Sequence, residues 1–279
     1  MTVVIPTRAR PQALTRCLEA LNRQTIAEAL DVIVIQDGDD LPKLESTLAA
    51  FPKARLVSQR RAGPGAARNR GAALARAPII CFTDDDCEPD PHWAEAFEAV
   101  LADGVAASVG RTVNGVRSGR LANASQFVLD HLTDRSRESS LHAAYGAANN
   151  IAVRADVYAA VPFDARFRFA GGDRDWCVRL HAAGYRIAYS TRALVRHRHS
   201  LDLQSFLRQH FAYGRGAYSY RSRLGSPLRL EPSDFYASLL ARAFRVGPSM
   251  GGLVTLSQAA TAAGYVTEAL ASQRSPAVD

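Results

Sequence analysis

The feature that most constrains the fold is a rhythm in the amino-terminal part of the chain. Four short apolar runs alternate with segments of helical period. The runs are Val3-Val4-Ile5, Asp31-Val32-Ile33-Val34-Ile35, Arg55-Leu56-Val57 and Pro78-Ile79-Ile80-Cys81-Phe82. After the first, Pro11 opens a helix with Leu14, Cys17, Leu18 and Leu21 on one face, the i, i+3, i+4, i+7 spacing. Residues 44–51, 66–75 and 91–101 predict further helices. An unbroken apolar run suits a strand buried on both faces. Strand–helix alternation then predicts a parallel sheet with helices on each side.

Beyond this block the pattern loosens. Residues 105–109 and 151–153 predict strands, and 121–132 a helix. Residues 173–183 predict a helix with Trp176, Cys177 and Leu180 on its apolar face, ending at Gly184. Short strands follow at 186–189 and 194–195. From Leu201 onward everything reads as helix, broken at Gly225-Ser226-Pro227 and Gly247-Pro248. These observations divide the chain into an α/β domain over 1–200 and a helical extension over 201–279.

The 279 residues are 47% hydrophobic and 22% charged, which suits one large α/β domain plus an appendage. No basic segment and apolar core precede the first strand, so a secretory leader is not expected. Cys17, Cys81, Cys87 and Cys177 form no C-x-x-C pair and read as buried thiols of a reducing compartment. The net charge is +7, and Lys43 and Lys53 are the only lysines among 34 basic residues. Arginine suits phosphate recognition, although a high-GC genome accounts for the same bias. No nucleic-acid-binding motif is present, and none is expected as a partner.

In open parallel sheets, ligands bind beyond the carboxyl ends of the strands. There the sequence places Pro6-Thr7-Arg8-Ala9-Arg10, then Gln36-Asp37-Gly38-Asp39-Asp40, then Thr83-Asp84-Asp85-Asp86. Three consecutive carboxylates repel one another, so packing does not explain them. Asp84 and Asp86, at i and i+2 past a strand, can point to one side. Such oxygens suit Mg²⁺ or Mn²⁺ shared with substrate phosphates; the competing reading is a solvated turn capping the next helix. Gly63-Pro64-Gly65 lacks the lysine of a Walker loop, and Arg68 stands where G-x-G-x-x-G needs its third glycine.

Five stretches in order resemble glycosyltransferase family 2, the inverting enzymes of GT-A fold. They are Val3-Val4-Ile5-Pro6-Thr7-Arg8, Val34-Ile35-Gln36-Asp37-Gly38, Gly63-Pro64-Gly65-Ala66-Ala67-Arg68-Asn69, Phe82-Thr83-Asp84-Asp85-Asp86 and Gly172-Asp173-Arg174-Asp175-Trp176. The resemblance implies a single Rossmann-like, mostly parallel sheet flanked by helices. It implies transfer of a sugar from a nucleotide-diphosphate donor to an acceptor hydroxyl, with Mn²⁺ or Mg²⁺ as cofactor. Pro6, Thr7, Arg8, Asp37, Arg68, Asp84 and Asp85 would face the donor; for Arg68 a solvated helix arginine is the competing reading. Asp86 would hold the metal, joined by His199 of the H-x-H at His197–His199. Asp173 would be the general base, with Asp175 as the other candidate. Asn149, Asn150, Asp175 and Trp176 would lie on the acceptor side.

Two departures stand out: Gln36 replaces a usual carboxylate, and Gly172 replaces a usual glutamate. The second keeps open a donor-binding pseudoenzyme. A nucleotidyltransferase is the other rival, but no lysine-bearing glycine loop opens the chain. The acceptor could be a saccharide, a lipid-linked molecule or a small molecule, as in bacterial polysaccharide or glycoconjugate synthesis. A cytoplasmic location is expected. Basic aromatic helices from Leu201 onward add peripheral contact with the inner membrane face as an expectation, against a helix simply packed on the protein.

Overall fold

The structure is a computed structural model that describes residues 1–39, 42–116, 119–138, 145–167, 170–227 and 230–274. Asp40, part of the second strand-end cluster, lies outside the described residues. The chain divides into two compact units. The first comprises Met1–Gly115, Ser140–Arg166 and Asp173–Arg198; the second comprises Val116–Ser139, Phe167–Gly172 and His199–Asp279. Residues 116–139, inside the stretch 1–200, thus group with the carboxy-terminal helices.

The first unit is built on β1 (Thr2–Thr7), β2 (Asp31–Asp37), β3 (Ala54–Gln59), β4 (Ile79–Thr83), β5 (Cys87–Pro89), β6 (Ala107–Asn114), β7 (Asn150–Arg154) and β8 (Ile187–His197). They form one sheet in the order β3-β2-β1-β4-β7-β6-β8-β5. The expected parallel register runs from β3 to β4: β1 pairs with β2 and β4, and β2 with β3. Beyond β4 the sheet is mixed. β7 runs antiparallel to both neighbours, β6 and β8 are parallel, and β5 is antiparallel to β8.

Alternation along the strands sorts side chains onto two cores. Val3, Ile5, Val32 and Val34 meet Leu14, Leu18 and Leu21 of α1 (Pro11–Asn22), Leu44 of α2 (Pro42–Ala49) and Trp93 and Phe97 of α4 (Trp93–Ala102). Val4, Ile33, Ile35 and Phe82 meet Ala67 of α3 (Pro64–Ala73), Tyr158 of α6 (Ala155–Ala160, with α5 at Arg120–Glu138 in the second unit) and Trp176 and Leu180 of α7 (Gly172–Ala182). Each fully buried side chain of this size contributes about 1.5–3 kcal/mol, so two full faces dominate over local propensity. Gly71 shows how tightly α3 sits on the sheet: a Cβ there would lie 2.2 Å from Val4 Cγ1.

Three features depart from the sequence expectation. The two strands expected at 186–189 and 194–195 are one strand, β8, whose pairing with β6 shifts register between Gly110 and Arg111. The short β5 and α6 have no sequence signal, because three and six residues respectively cannot display a period. Asn150, expected on the acceptor side, is an interior clamp only 1% exposed. Its Nδ2 donates to Arg111 O and Ala193 O, both at 3.0 Å, and its Oδ1 accepts from Trp93 Nε1 at 2.8 Å. It thereby joins β7, β6, β8 and α4.

In the second unit, α5 packs with α8 (Leu203–Arg223), α9 (Ser233–Val246) and α10 (Pro248–Arg274) around Phe206, Phe235, Leu239 and Val254. Asp202 and Ser205 form a capping box that starts α8. Gly214 and Gly264 let α8 and α10 touch backbone to backbone. A Cβ at either would fall about 2 Å from a carbonyl oxygen of the facing helix, that of Thr261 or Phe211.

Replacing Asn150 with Ala takes the side-chain partner from one donor and one acceptor in the buried interior, Trp93 Nε1 and Ala193 O. At about 1–3 kcal/mol for each orphaned group, Asn150→Ala is expected to lower unfolding free energy by at least ~2 kcal/mol in urea titrations. Near-wild-type stability would show that the clamp is dispensable.

Candidate active site

The parallel strands bring their carboxyl ends to one edge of the first unit. Thr7 of β1 pairs in register with Gln36 of β2. The chain then turns through Ala9 at φ +51°, an uncommon backbone for a residue with a Cβ. The Ala9 N–H donates to Gln36 Oε1 at 3.1 Å. Gln36 is fully buried and its Nε2 has no partner. Arg8 is exposed at this edge, whereas Pro6 and Thr7 are buried.

Asp37 closes β2 and organises the glycine loop. Its Oδ1 accepts from Gln59 Nε2 and Ala62 N, both at 2.8 Å, and its Oδ2 from Gly63 N at 2.9 Å. Gly63, at φ +94°, then leads into α3. Helix α3 carries Arg68, 7% exposed, whose Nη2 donates to Asp84 Oδ1 at 2.5 Å. The Arg68 guanidinium lies 5.8 Å from the Phe163 ring centre, and its Nε is buried with no partner.

The three consecutive aspartates therefore have three different environments. Asp84 meets Arg68. Asp85 is fully buried and accepts from Thr7 Oγ1 at 2.5 Å, from Arg10 Nε at 3.1 Å and from Arg10 Nη2. Burial pushes its carboxyl up to about 6, with Arg10 and Thr7 pulling the other way. Asp86 Oδ2 accepts from Arg10 Nη1 at 2.8 Å, while its Oδ1 lies 3.2 Å from His197 Nε2. Burial alone would depress His197; its bond to Asp86 and the charges of Asp86 and Asp84 outweigh that and raise it.

Asp86, Cys87 and His197 could supply three ligand atoms within 4.8 Å of one another. Burial, then the charges of Asp84 and Asp86, push the Cys87 thiol well above its usual value. The carboxylate and imidazole are the donors that fit a hard or borderline divalent cation. His199, expected as the metal histidine, belongs to the second unit, where its Nε2 meets Gln209 Oε1 at 2.6 Å. The sequence could not separate the two histidines. In the fold, His197 is paired with Cys87 across β8 and β5, which sets its ring against Asp86. Arg10 had no assigned role in the sequence, and only the folded strand end reveals its partners.

Asp173, in the first turn of α7, is half-buried; its Oδ1 accepts from Arg174 N at 2.9 Å and its Oδ2 from Tyr145 Oη at 3.4 Å. Desolvation raises its pKa, opposed by the hydrogen bond from Arg174 and by the nearby charge of Arg68. Asp175 instead points inward, 2% exposed, and accepts from Arg179 Nε at 2.7 Å. Trp176, expected on the acceptor side, is fully buried and donates its indole N–H to Val161 O at 2.8 Å. It is a core residue because its ring packs against Tyr158 and Phe163 in the core beneath the sheet. Asn149, 7% exposed, accepts from Thr112 Oγ1 at 3.3 Å.

Comparisons with known proteins bear on the family and the fold. The profile described as Glycosyl transferase family 2 matches residues 2–162. A pre-mycofactocin glycosyltransferase of Mycobacterium tuberculosis is 27% identical over 266 residues, 92% of this chain and 55% of that protein. The chain thus spans about half the length of that relative. Glycosyltransferase AglE of Haloferax volcanii is 24% identical over 222 residues, 77% of this chain and 72% of that protein. Among solved structures, the mannosyltransferase PcManGT of Pyrobaculum calidifontis, in complex with GDP-Man and Mn²⁺, matches with TM-score 0.64 and 17% identity, covering 98% of this chain and 80% of that one. Glucosyl-3-phosphoglycerate synthase of Mycobacterium tuberculosis, with Mn²⁺, UDP-glucose and phosphoglyceric acid, matches with TM-score 0.60 and 18% identity, covering 81% and 80%. These likenesses identify a GT-A fold. With the profile covering more than half of the sequence, the chain belongs to glycosyl transferase family 2.

Proposed function

We propose that this chain is an inverting glycosyltransferase that moves a sugar from a nucleotide-diphosphate donor to an acceptor hydroxyl. The observation that carries the reading is the strand-end cluster in which Arg68 meets Asp84 and His197 meets Asp86, with the half-buried Asp173 in the same unit. The complexes of the two structural neighbours with nucleotide sugars and Mn²⁺ support it.

In this reading Asp37 accepts an N–H from the donor base, using the one Oδ2 lone pair left over from its loop contacts. Pro6, Thr7 and Arg8 border the base and ribose, and Asp84 the ribose. Asp86 and His197 hold Mn²⁺ or Mg²⁺, which when bound offsets negative charge on the diphosphate. His197 takes this place in preference to His199 because its Nε2 lies against Asp86 Oδ1. Arg68, with an unpartnered buried N–H, binds the diphosphate or base. Asp173 takes the proton of the acceptor hydroxyl as that oxygen attacks the anomeric carbon opposite the diphosphate. A pKa raised by desolvation makes it a stronger base than an ordinary aspartate. Asp175, paired with Arg179 inside the unit, is the poorer candidate. The acceptor is left at its chemical class, a hydroxyl compound.

Peripheral contact of the second unit with an anionic lipid surface is a further part of the proposal. Among the described residues, the exposed large apolar side chains all belong to that unit, Leu224, Phe244, Val246 and Val266 among them. Its segments contain thirteen arginines against eight aspartates and glutamates. No helix of the described residues is long and apolar enough to cross a membrane.

Asp86→Ala is expected to abolish Mn²⁺-dependent donor binding in calorimetry, leaving only the weak binding seen with EDTA. Asp173→Asn should keep donor affinity while kcat falls by about 10²–10⁴; full turnover in this variant would move the base elsewhere. Because the carboxyl pKa is raised, the base is protonated and idle on the acid side and active above it. The acid limb of kcat should therefore have its midpoint above ~3.9, the ordinary aspartate value. Sedimentation with phosphatidylglycerol vesicles, lost in Phe244→Asp/Val246→Asp, tests the lipid contact; no sedimentation of the unaltered chain would remove it.

A further inference from the structure

The acidic loop after β4 carries three successive carboxylates, and the fold supplies two guanidinium groups against them. Arg68 takes Asp84 and is itself buried, its side chain 9% exposed. Arg10 takes the other two. Its Nε and Nη2 hold Asp85, and its Nη1 holds Asp86 Oδ2 at 2.8 Å. Its side chain is 51% exposed, against 0% for Asp85 and 10% for Asp86.

The asymmetry of these contacts matters. Two donors anchor the guanidinium on a carboxylate that has no access to water, and a single donor reaches the carboxylate that faces His197. Arg10 can therefore give up Asp86 and keep Asp85. A lysine could not do this, since a point charge lacks the planar fork that addresses two acids at once. The backbone fixes where the fork starts. Arg10 is the residue before α1, its carbonyl accepts from Leu14 N at 3.0 Å, and Ala9 before it turns through positive φ.

We propose that Arg10 is the internal counter-cation of the acidic loop, compensating the charges of Asp85 and Asp86 and yielding one Asp86 oxygen when a divalent ion arrives. Arg10 is thus a positioning residue, acting through Asp86. The inference rests on the assignment of Asp86 to a divalent cation. It differs from a merely structural role in its consequence for cation binding. A structural brace, once removed, destabilises the protein equally with and without metal. A counter-cation, once removed, leaves like charges that the metal then relieves more effectively than before.

The test is thermal unfolding of the full chain in EDTA and in Mn²⁺ without donor, together with Mn²⁺ affinity read by electron paramagnetic resonance. Arg10→Ala should unfold at a lower temperature than the unaltered chain in EDTA. Mn²⁺ should raise its midpoint by more than it raises that of the unaltered chain, and Mn²⁺ should bind roughly tenfold tighter, as expected for removing one nearby positive charge. Arg10→Lys should lose stability in EDTA yet show the ordinary Mn²⁺ increment, because its charge remains. If Arg10→Ala does not fold, Arg10→Gln, uncharged but able to hydrogen-bond, carries the same comparison. An equal or smaller Mn²⁺ increment in the uncharged variants overturns the role of Arg10 alone. Absence of any Mn²⁺ effect on the unaltered chain overturns the cation assignment, and the Arg10 proposal with it.

Discussion

The site depends on one constraint: adjacent carboxylates at the end of a buried strand must each find a partner from somewhere else in the fold. Asp84 finds Arg68 on α3, Asp85 finds Thr7 and Arg10 at the end of β1, and Asp86 finds Arg10 and His197 at the end of β8. An uncompensated carboxylate in the position of Asp85 would cost several kcal/mol. The acidic loop therefore acts as the hub to which three elements are tied. The Arg198 N–H, bonded to Asp86 O at 2.8 Å, adds a backbone tie to the same hub.

The sheet makes these ties possible. Parallel pairing of β1 with β2 and β4 brings three strand ends to one edge, so loops remote in sequence become neighbours. Antiparallel β7 then carries the sheet from β4 to β6 and β8, and Asn150 closes that junction with hydrogen bonds to β6, β8 and α4. The result is a rigid edge on which a loop can hold charged groups at short distances. Such rigidity suits a site whose electrostatics must be arranged before a charged ligand enters.

The two units differ in physical character. The first has a mixed sheet with a core on each face and carries the paired acids and bases of the site. The second is helical, closes around a smaller core and exposes larger apolar side chains. Close approach of α8 and α10 explains Gly214 in the one and Gly264 in the other.

The sequence by itself determined β1 to β4, the helices between them and the cluster Asp84–Asp86, because apolar period and strand-end position are local properties. It also carried the family resemblance, which the profile match over residues 2–162 now establishes. Tertiary structure alone decided the rest. The direction of β7 and the existence of β5 depend on pairing with distant strands, which no window of sequence contains. That His197 rather than His199 lies against Asp86 follows from the β5–β8 register, since both histidines look alike along the chain. Trp176 and Asn150 proved interior because burial depends on which face meets a neighbouring element. Arg10 stayed invisible for the same reason. Its partners lie 75 and 76 residues away, and only folding brings a charge and its counter-charge within reach.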